Sequence, residues 1–446
     1  MRMSIRPGSW ALLLIALSDP PVMASPVWAL EQTLLGGVPS EPAGNDLLGF
    51  AVALDGSRMA VGAFSDDLEL PGGTLGNAGS VYLFQHDGTQ WTLAQRLVAP
   101  DAQSGALFGI DVALDGSALV VGARLHDSPA AGGGALEVDQ GAVYVYRLLA
   151  GQWTLEQRLT PALALGAEAQ FGWAVALHGD TLAVGAPDAG EGIVDVYQHT
   201  GGAPPWQLQQ RLGRPSGSGF AGPNAFGRAL SLGLDQLLVG APLEDNPPLS
   251  HGDAGAAYVF VRANLSWSVQ ARLSPALPMA GAGFGTAVAL HGAQALVGSP
   301  DETVLGLASA GMVDRLVQQA GVWSRVQRWQ DVSPEGSARF GQSLACDDSH
   351  AAVGVYWAGG TLGAMEGKVQ TYVAETGGAW VVGPTLRAPP GTRAPFNQFG
   401  TDVALDAGRI AVGEPGVDWL SNNDGAAHSY RLDLDPLFGD GFEATP

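Results

Sequence analysis

The stretch FGWAVALHGDTLAVGAP, Phe171–Pro187, decides the fold. It opens on Phe-Gly, runs through the apolar segment Val175-Ala176-Leu177 to a His178-Gly179 turn, returns through Leu182-Ala183-Val184 and closes on Gly-Ala-Pro. Two short apolar runs around a glycine-bearing turn read as a β-hairpin. The same unit begins at Leu48, Phe108, Phe226, Phe284, Phe340 and Phe399, so seven copies are present. Sixteen residues after each start stand Phe64, Arg124, Pro187, Pro242, Pro300, Tyr356 and Pro415. The interval inside the unit is constant while the spacing between units varies, as expected for paired strands separated by loops.

Working outward, most copies carry a third run rich in β-branched and aromatic residues, such as Val81-Tyr82-Leu83-Phe84 and Val143-Tyr144-Val145-Tyr146. A fourth follows, Trp91 to Leu97, repeated as Trp153 to Leu159, Trp206 to Leu212, Trp267 to Leu273, Trp323 to Trp329 and Trp380 to Leu386. Strands one to three are nearly continuous in apolar residues, as strands buried on both faces are. The fourth mixes in Gln, Glu and Arg, as a solvent-facing edge does. Four antiparallel strands per unit, seven times over, predict an all-β, seven-bladed propeller with strand one on the axis and strand four at the rim. The last copy lacks a fourth strand after Tyr430, and Trp28 to Leu34 matches the missing pattern, so the N-terminal segment is expected to complete the last blade and close the ring.

Composition agrees with short strands and tight turns: 64 glycines, 29 prolines and only 14% charged residues in 446. Acidic residues exceed basic ones by 43 to 21, a formal charge of -22, which disfavours nucleic acid and anionic membranes as partners. Arg2 and Arg6 precede the apolar run Trp10 to Leu17, and Val22-Met23-Ala24 supplies small residues for a signal peptidase. Residues 1–24 therefore read as an export signal, residues 25–434 as the propeller and residues 435–446 as a C-terminal tail. No later segment is long and apolar enough to span a membrane. The single cysteine, Cys346, excludes a disulfide framework and sits where other copies have leucine, as a small buried hydrophobe.

The Phe-Gly and Gly-Ala-Pro elements resemble the FG-GAP repeats of the integrin α-subunit propeller and of exported bacterial proteins. That resemblance implies a seven-bladed propeller used extracellularly for adhesion or ligand binding, often with calcium in an acidic loop between strands one and two. Here that turn holds only a few residues, as in Leu54-Asp55-Gly56-Ser57, too few for the six to eight oxygens calcium takes. No cofactor is expected at the family position. A weak calcium contribution is left to loops before strand three, such as Asn77-Ala78-Gly79 and Asp253-Ala254-Gly255.

In an antiparallel blade the connections alternate between faces, and here the long ones, strand two to three and strand four to the next strand one, share one face. Acidic residues recur there after the Gly-Ala-Pro position: Asp66, Asp67, Asp127, Asp188, Glu244, Asp245, Asp301, Glu302 and Asp418. They read either as local turn closers or as a ring of carboxylates for a cation or an amine-bearing ligand. Tyr356 and Trp357 interrupt the ring and are candidate aromatic contacts. No converging nucleophile, base and orienter and no metal spacing are legible, so no catalytic residue and no metal site is assigned. The expected function is an exported, non-catalytic binding or adhesion scaffold for a protein or cell-surface ligand. A glycan-binding lectin is the alternative, and a hydrolase or lyase on a propeller scaffold a third possibility. The expected location is the periplasm, cell surface or medium.

Overall fold

The computed structural model describes residues 27–36, 46–129, 135–215, 224–246, 252–359, 365–375, 377–390, 393–417 and 424–433. The export signal, the tail and Asp418 lie outside the described residues. Seven four-stranded antiparallel sheets follow one another around an axis. The first blade consists of Ala51–Asp55, Arg58–Ala63, Ser80–His86 and Trp91–Leu97, and the second of Phe108–Asp115, Ala118–Ala123, Ala142–Leu149 and Gln152–Leu159. The seventh is Val403–Asp406, Arg409–Glu414, Ala426–Asp433 and the N-terminal Val27–Leu34. In that pairing Trp28 stands opposite Leu432 and Leu34 opposite Ala427, so ring closure occurs in the register read from sequence. Among the described residues there is no helix.

The repeated glycines explain how the blades fit together. Gly62, in the second strand of blade one, has no side chain because a Cβ there would lie 2.1 Å from the carbonyl oxygen of Gly109, the Phe-Gly glycine of blade two. The same contact recurs at Gly122 and Gly172, Gly185 and Gly227, and onward to Gly413 and Gly49, which closes the circle. Backbone meets backbone at each blade junction, an approach only glycine permits. The motif phenylalanines Phe108, Phe171, Phe226, Phe284, Phe340 and Phe399 beside these contacts are fully buried.

The rim is tied by a device that simple strand alternation conceals. In the pairing of third and fourth strands the register shifts at one outer-strand residue, for example between Leu30 and Gln32 and between Val145 and Tyr146. Such a bulge lets two consecutive side chains point the same way. Glu31 and Gln32 consequently both reach blade one: the Trp91 indole N–H donates to Glu31 at 3.1 Å, while Gln32 accepts from the Trp91 backbone N–H at 2.8 Å and donates to its carbonyl at 2.9 Å. The amide clamp is repeated by Gln95 on Trp153, Gln157 on Trp206 and Gln210 on Trp267. The outer strand is therefore bonded through its side chains to the next blade, more than the solvent-facing edge expected from its composition.

Candidate functional site

Among the described residues the acidic positions of the long-loop face fall into three distinct environments. Asp66, Glu244 and Glu302 are buried and answer outer-strand arginines: Arg96 donates to Asp66 at 2.7 Å, Arg272 to Glu244 at 2.9 Å and Arg328 to Glu302 at 2.6 Å. Asp67, Asp127 and Asp245 accept the backbone N–H of Asn77, Asp139 and Asp253, at 2.7, 3.0 and 3.0 Å. Those three partners have left-handed backbones, φ 50°, 53° and 55°, so each carboxylate pins a strained loop residue. Asp188 is exposed and accepts a hydrogen bond from Gln170, and Asp301 accepts from Arg339 at 2.9 Å. Carboxylates engaged in this way are turn closers and arginine partners.

A different site lies on the axis. The inner strands surround a channel with a cavity of about 490 Å³ lined from all seven blades. Its mouth is formed by the residue that follows each Phe-Gly: Phe50, Ile110, Trp173, Arg228, Thr286, Gln342 and Thr401. Arg124 and Tyr356, which replace the motif proline in blades two and six, join this rim. Below it the next residues are small, except for Asp111 and Asp402. The position is the least repetitive of the inner strand. It projects into the bore, where no neighbouring strand constrains its size.

Trp173 of blade three stands between Arg124 of blade two and Arg228 of blade four, whose guanidinium carbons lie 4.1 and 3.8 Å from its ring centroid. Arg124 donates to Gln170 at 2.7 Å, and Gln170 passes the connection to Asp188. Among the described residues the Arg228 side chain stacks on Trp173 and makes no hydrogen bond or ion pair, while its backbone N–H donates to Ala225 and the nearby charge of Asp188 favours its charged form. It is exposed at the mouth, yet the protein wall around it and the charge of Arg124 bring its pKa down to about 10. Gln342, on the same rim, has a buried side-chain oxygen without a hydrogen-bond partner. Tyr356 accepts from Arg339 at 3.1 Å, and the Arg339 guanidinium also covers Trp357 at 4.8 Å. Tyr356 is thus brought into the rim, while Trp357 packs beside it.

Asp111 and Asp402 form the polar floor and join adjacent blades. Asp111 accepts the backbone N–H of Val175 at 2.7 Å, and Asp402 that of Val52 at 2.8 Å. Burial raises both carboxyls, Asp111 to about 8 with the charge of Asp402 adding to it, and Asp402 to about 6. Sequence reading had singled out neither these residues nor Arg124, Trp173 and Arg228. The available signal was their departure from the repeat: Asp111 and Asp402 stand where other copies have Ala or Ser, and Arg124 and Tyr356 where most have Pro.

A closed ring of seven four-stranded blades around a channel defines a seven-bladed β-propeller. The FG-GAP repeat family model matches residues 28–84, 91–146, 153–197 and 206–260, and the chain is an FG-GAP repeat protein. Each matched segment starts at an outer-strand tryptophan and continues into the following blade, the same offset that closes the ring. The structure continues the same blade design through blades five, six and seven. No curated protein matches the chain.

Proposed function

We propose that this protein is an exported, non-catalytic binding scaffold that engages a protein or cell-surface ligand through its long-loop face, with the axial mouth at the centre of contact. The observation that carries this reading is Arg228: a cation stacked on Trp173 whose guanidinium makes no ion pair among the described residues, at the least repetitive position of the inner strand. Elsewhere the polar side chains of this face close turns or tie blades, roles that the fold itself requires. Family membership supports a binding or scaffold role, and the signal-like residues 1–24 support export. The outer-strand tryptophans, such as Trp91 and Trp206, are buried against the neighbouring blade, which weighs against glycan stacking by these residues.

The test is binding of the purified mature chain to cell surfaces and to a glycan array, alongside a variant in which Arg228, Thr286 and Gln342 are replaced by alanine. Surface binding lost in the variant supports the reading. Binding confined to glycans moves the protein to the lectin alternative, and turnover of a hydrolysable substrate would overturn the non-catalytic assignment. The double replacement of Asp67 and Asp245 is expected to leave binding unchanged, because each closes a local turn and neither lines the axial cavity.

A further inference from the structure

Resting on the axial mouth as the contact site, we propose that this mouth captures a carboxylate group, held by Arg228 over the Trp173 ring with Arg124 and Gln342 contributing to the same rim.

Three features of the geometry point to an anion. The Arg228 side chain supplies a positive charge with no hydrogen bond or ion pair among the described residues; its contact is the stack on Trp173 of the preceding blade. A guanidinium presents paired N–H donors in a plane, which suits the two oxygens of a carboxylate. Trp173 covers one part of that cation and so leaves its N–H edge as the binding surface. Gln342 lines the same cavity, and its amide nitrogen is the group it can offer an anion, since its oxygen only accepts. The cavity of about 490 Å³ admits a side chain or a small organic acid and excludes a folded domain.

The charge count selects a monoanion over a phosphate dianion. Arg124 is already shared with Gln170 and through it with Asp188, so one cation is uncommitted. Deeper in the bore Asp111 and Asp402 would repel a second negative charge once ionised. The protein's charge of -22 adds a repulsive background, so capture depends on this local cation and weakens with salt. A carboxylate can arrive on a free acid or on a peptide.

The experiment titrates the full mature chain with butyrate, with a short peptide bearing a free C-terminus, with its C-terminally amidated counterpart and with inorganic phosphate, using calorimetry at low salt. A carboxylate probe is expected to bind, and Arg228→Gln to weaken it by about ten- to a hundredfold, the loss of one charge-assisted hydrogen-bonded contact. Arg228→Lys is expected to recover part of that loss. The ratio of butyrate to peptide affinity identifies the source of the carboxylate. Arg228→Gln gives up the stack on Trp173 but no side-chain hydrogen bond, so its melting temperature is expected to stay within a few degrees of the parent's, which separates lost binding from lost fold. Equal carboxylate affinity in parent and Arg228→Gln, absence of carboxylate binding by the parent, or preference for phosphate overturns the proposal. A surface partner that still binds Arg228→Gln would overturn this inference and leave the scaffold reading standing.

Discussion

Replacing Glu31 by glutamine isolates the electrostatic part of ring closure while keeping the shape of the closing strand. Glu31 belongs to the N-terminal strand but serves four other strands. It accepts from Arg409 at 3.1 Å, from Ser429 at 2.8 Å and from the Trp91 indole at 3.1 Å, and lies 3.0 Å from His86. Burial by itself would raise its pKa; the hydrogen bonds from Arg409, Ser429 and Trp91 outweigh that and bring it from 4.5 to about 2. At about 1.4 kcal/mol for each pH unit between the two values, the ionised carboxylate adds about 3 kcal/mol to folding at neutral pH. The folded value is the lower one, so this contribution is complete above about pH 4.5 and is lost as pH falls towards 2. The assay is urea unfolding of parent and Glu31→Gln at closely spaced pH values. A gap of about 3 kcal/mol at pH 7 that closes by pH 2 is expected. Equal stabilities at pH 7, or a gap that stays constant down to pH 2, would refute the reasoning.

Gly185→Ala should cost about 1–3 kcal/mol or more, since its Cβ would meet the Gly227 carbonyl at 2.1 Å. Gly213→Ala, with no atom within 4 Å, should unfold at the parent's midpoint in the same denaturation series. Gln157→Ala removes both amide bonds to the Trp206 backbone and should cost about 1–3 kcal/mol by chemical denaturation. Ala271 occupies the clamp position of blade four, so Ala271→Gln should add up to about 1 kcal/mol by the same measurement. Asp111→Asn should behave in the opposite sense to Glu31→Gln. The folded carboxyl has the raised pKa, so ionisation costs stability as pH rises from about 4 to 8. The variant should match the parent near pH 4 and exceed it in stability at pH 9, where thermal melts can compare them.

Blade number, strand order and the closing role of Trp28 to Leu34 were legible because each depends on a pattern repeated along the chain. Burial on both faces makes the first three strands continuous in apolar residues, and the constant interval from Phe171 to Pro187 marks a hairpin of unvarying length. The rim was only half legible. Trp91 and its equivalents stood out, but Glu31 and Gln32 looked like alternating edge residues because a bulge changes side-chain direction without altering composition. The candidate site was least legible. Asp66 and Glu244 recur in register, and that recurrence reflects the arginines they meet, Arg96 and Arg272, about thirty residues away in the same blade.

By itself the sequence determined the architecture, since a motif copied seven times can bury its strands only by stacking blade on blade, and the displaced outer strand can pair only with the last copy. Tertiary structure alone decided which side chains are free to act. Arg124, Trp173 and Arg228 are more than a hundred residues apart at their extremes, and circular packing brings three blades to one stretch of rim. Whether a charge is already matched depends on such neighbours. Asp66 and Arg228 are each a charged residue on a repeat, and only the folded surroundings give Asp66 the Arg96 guanidinium and set Arg228 on the Trp173 ring.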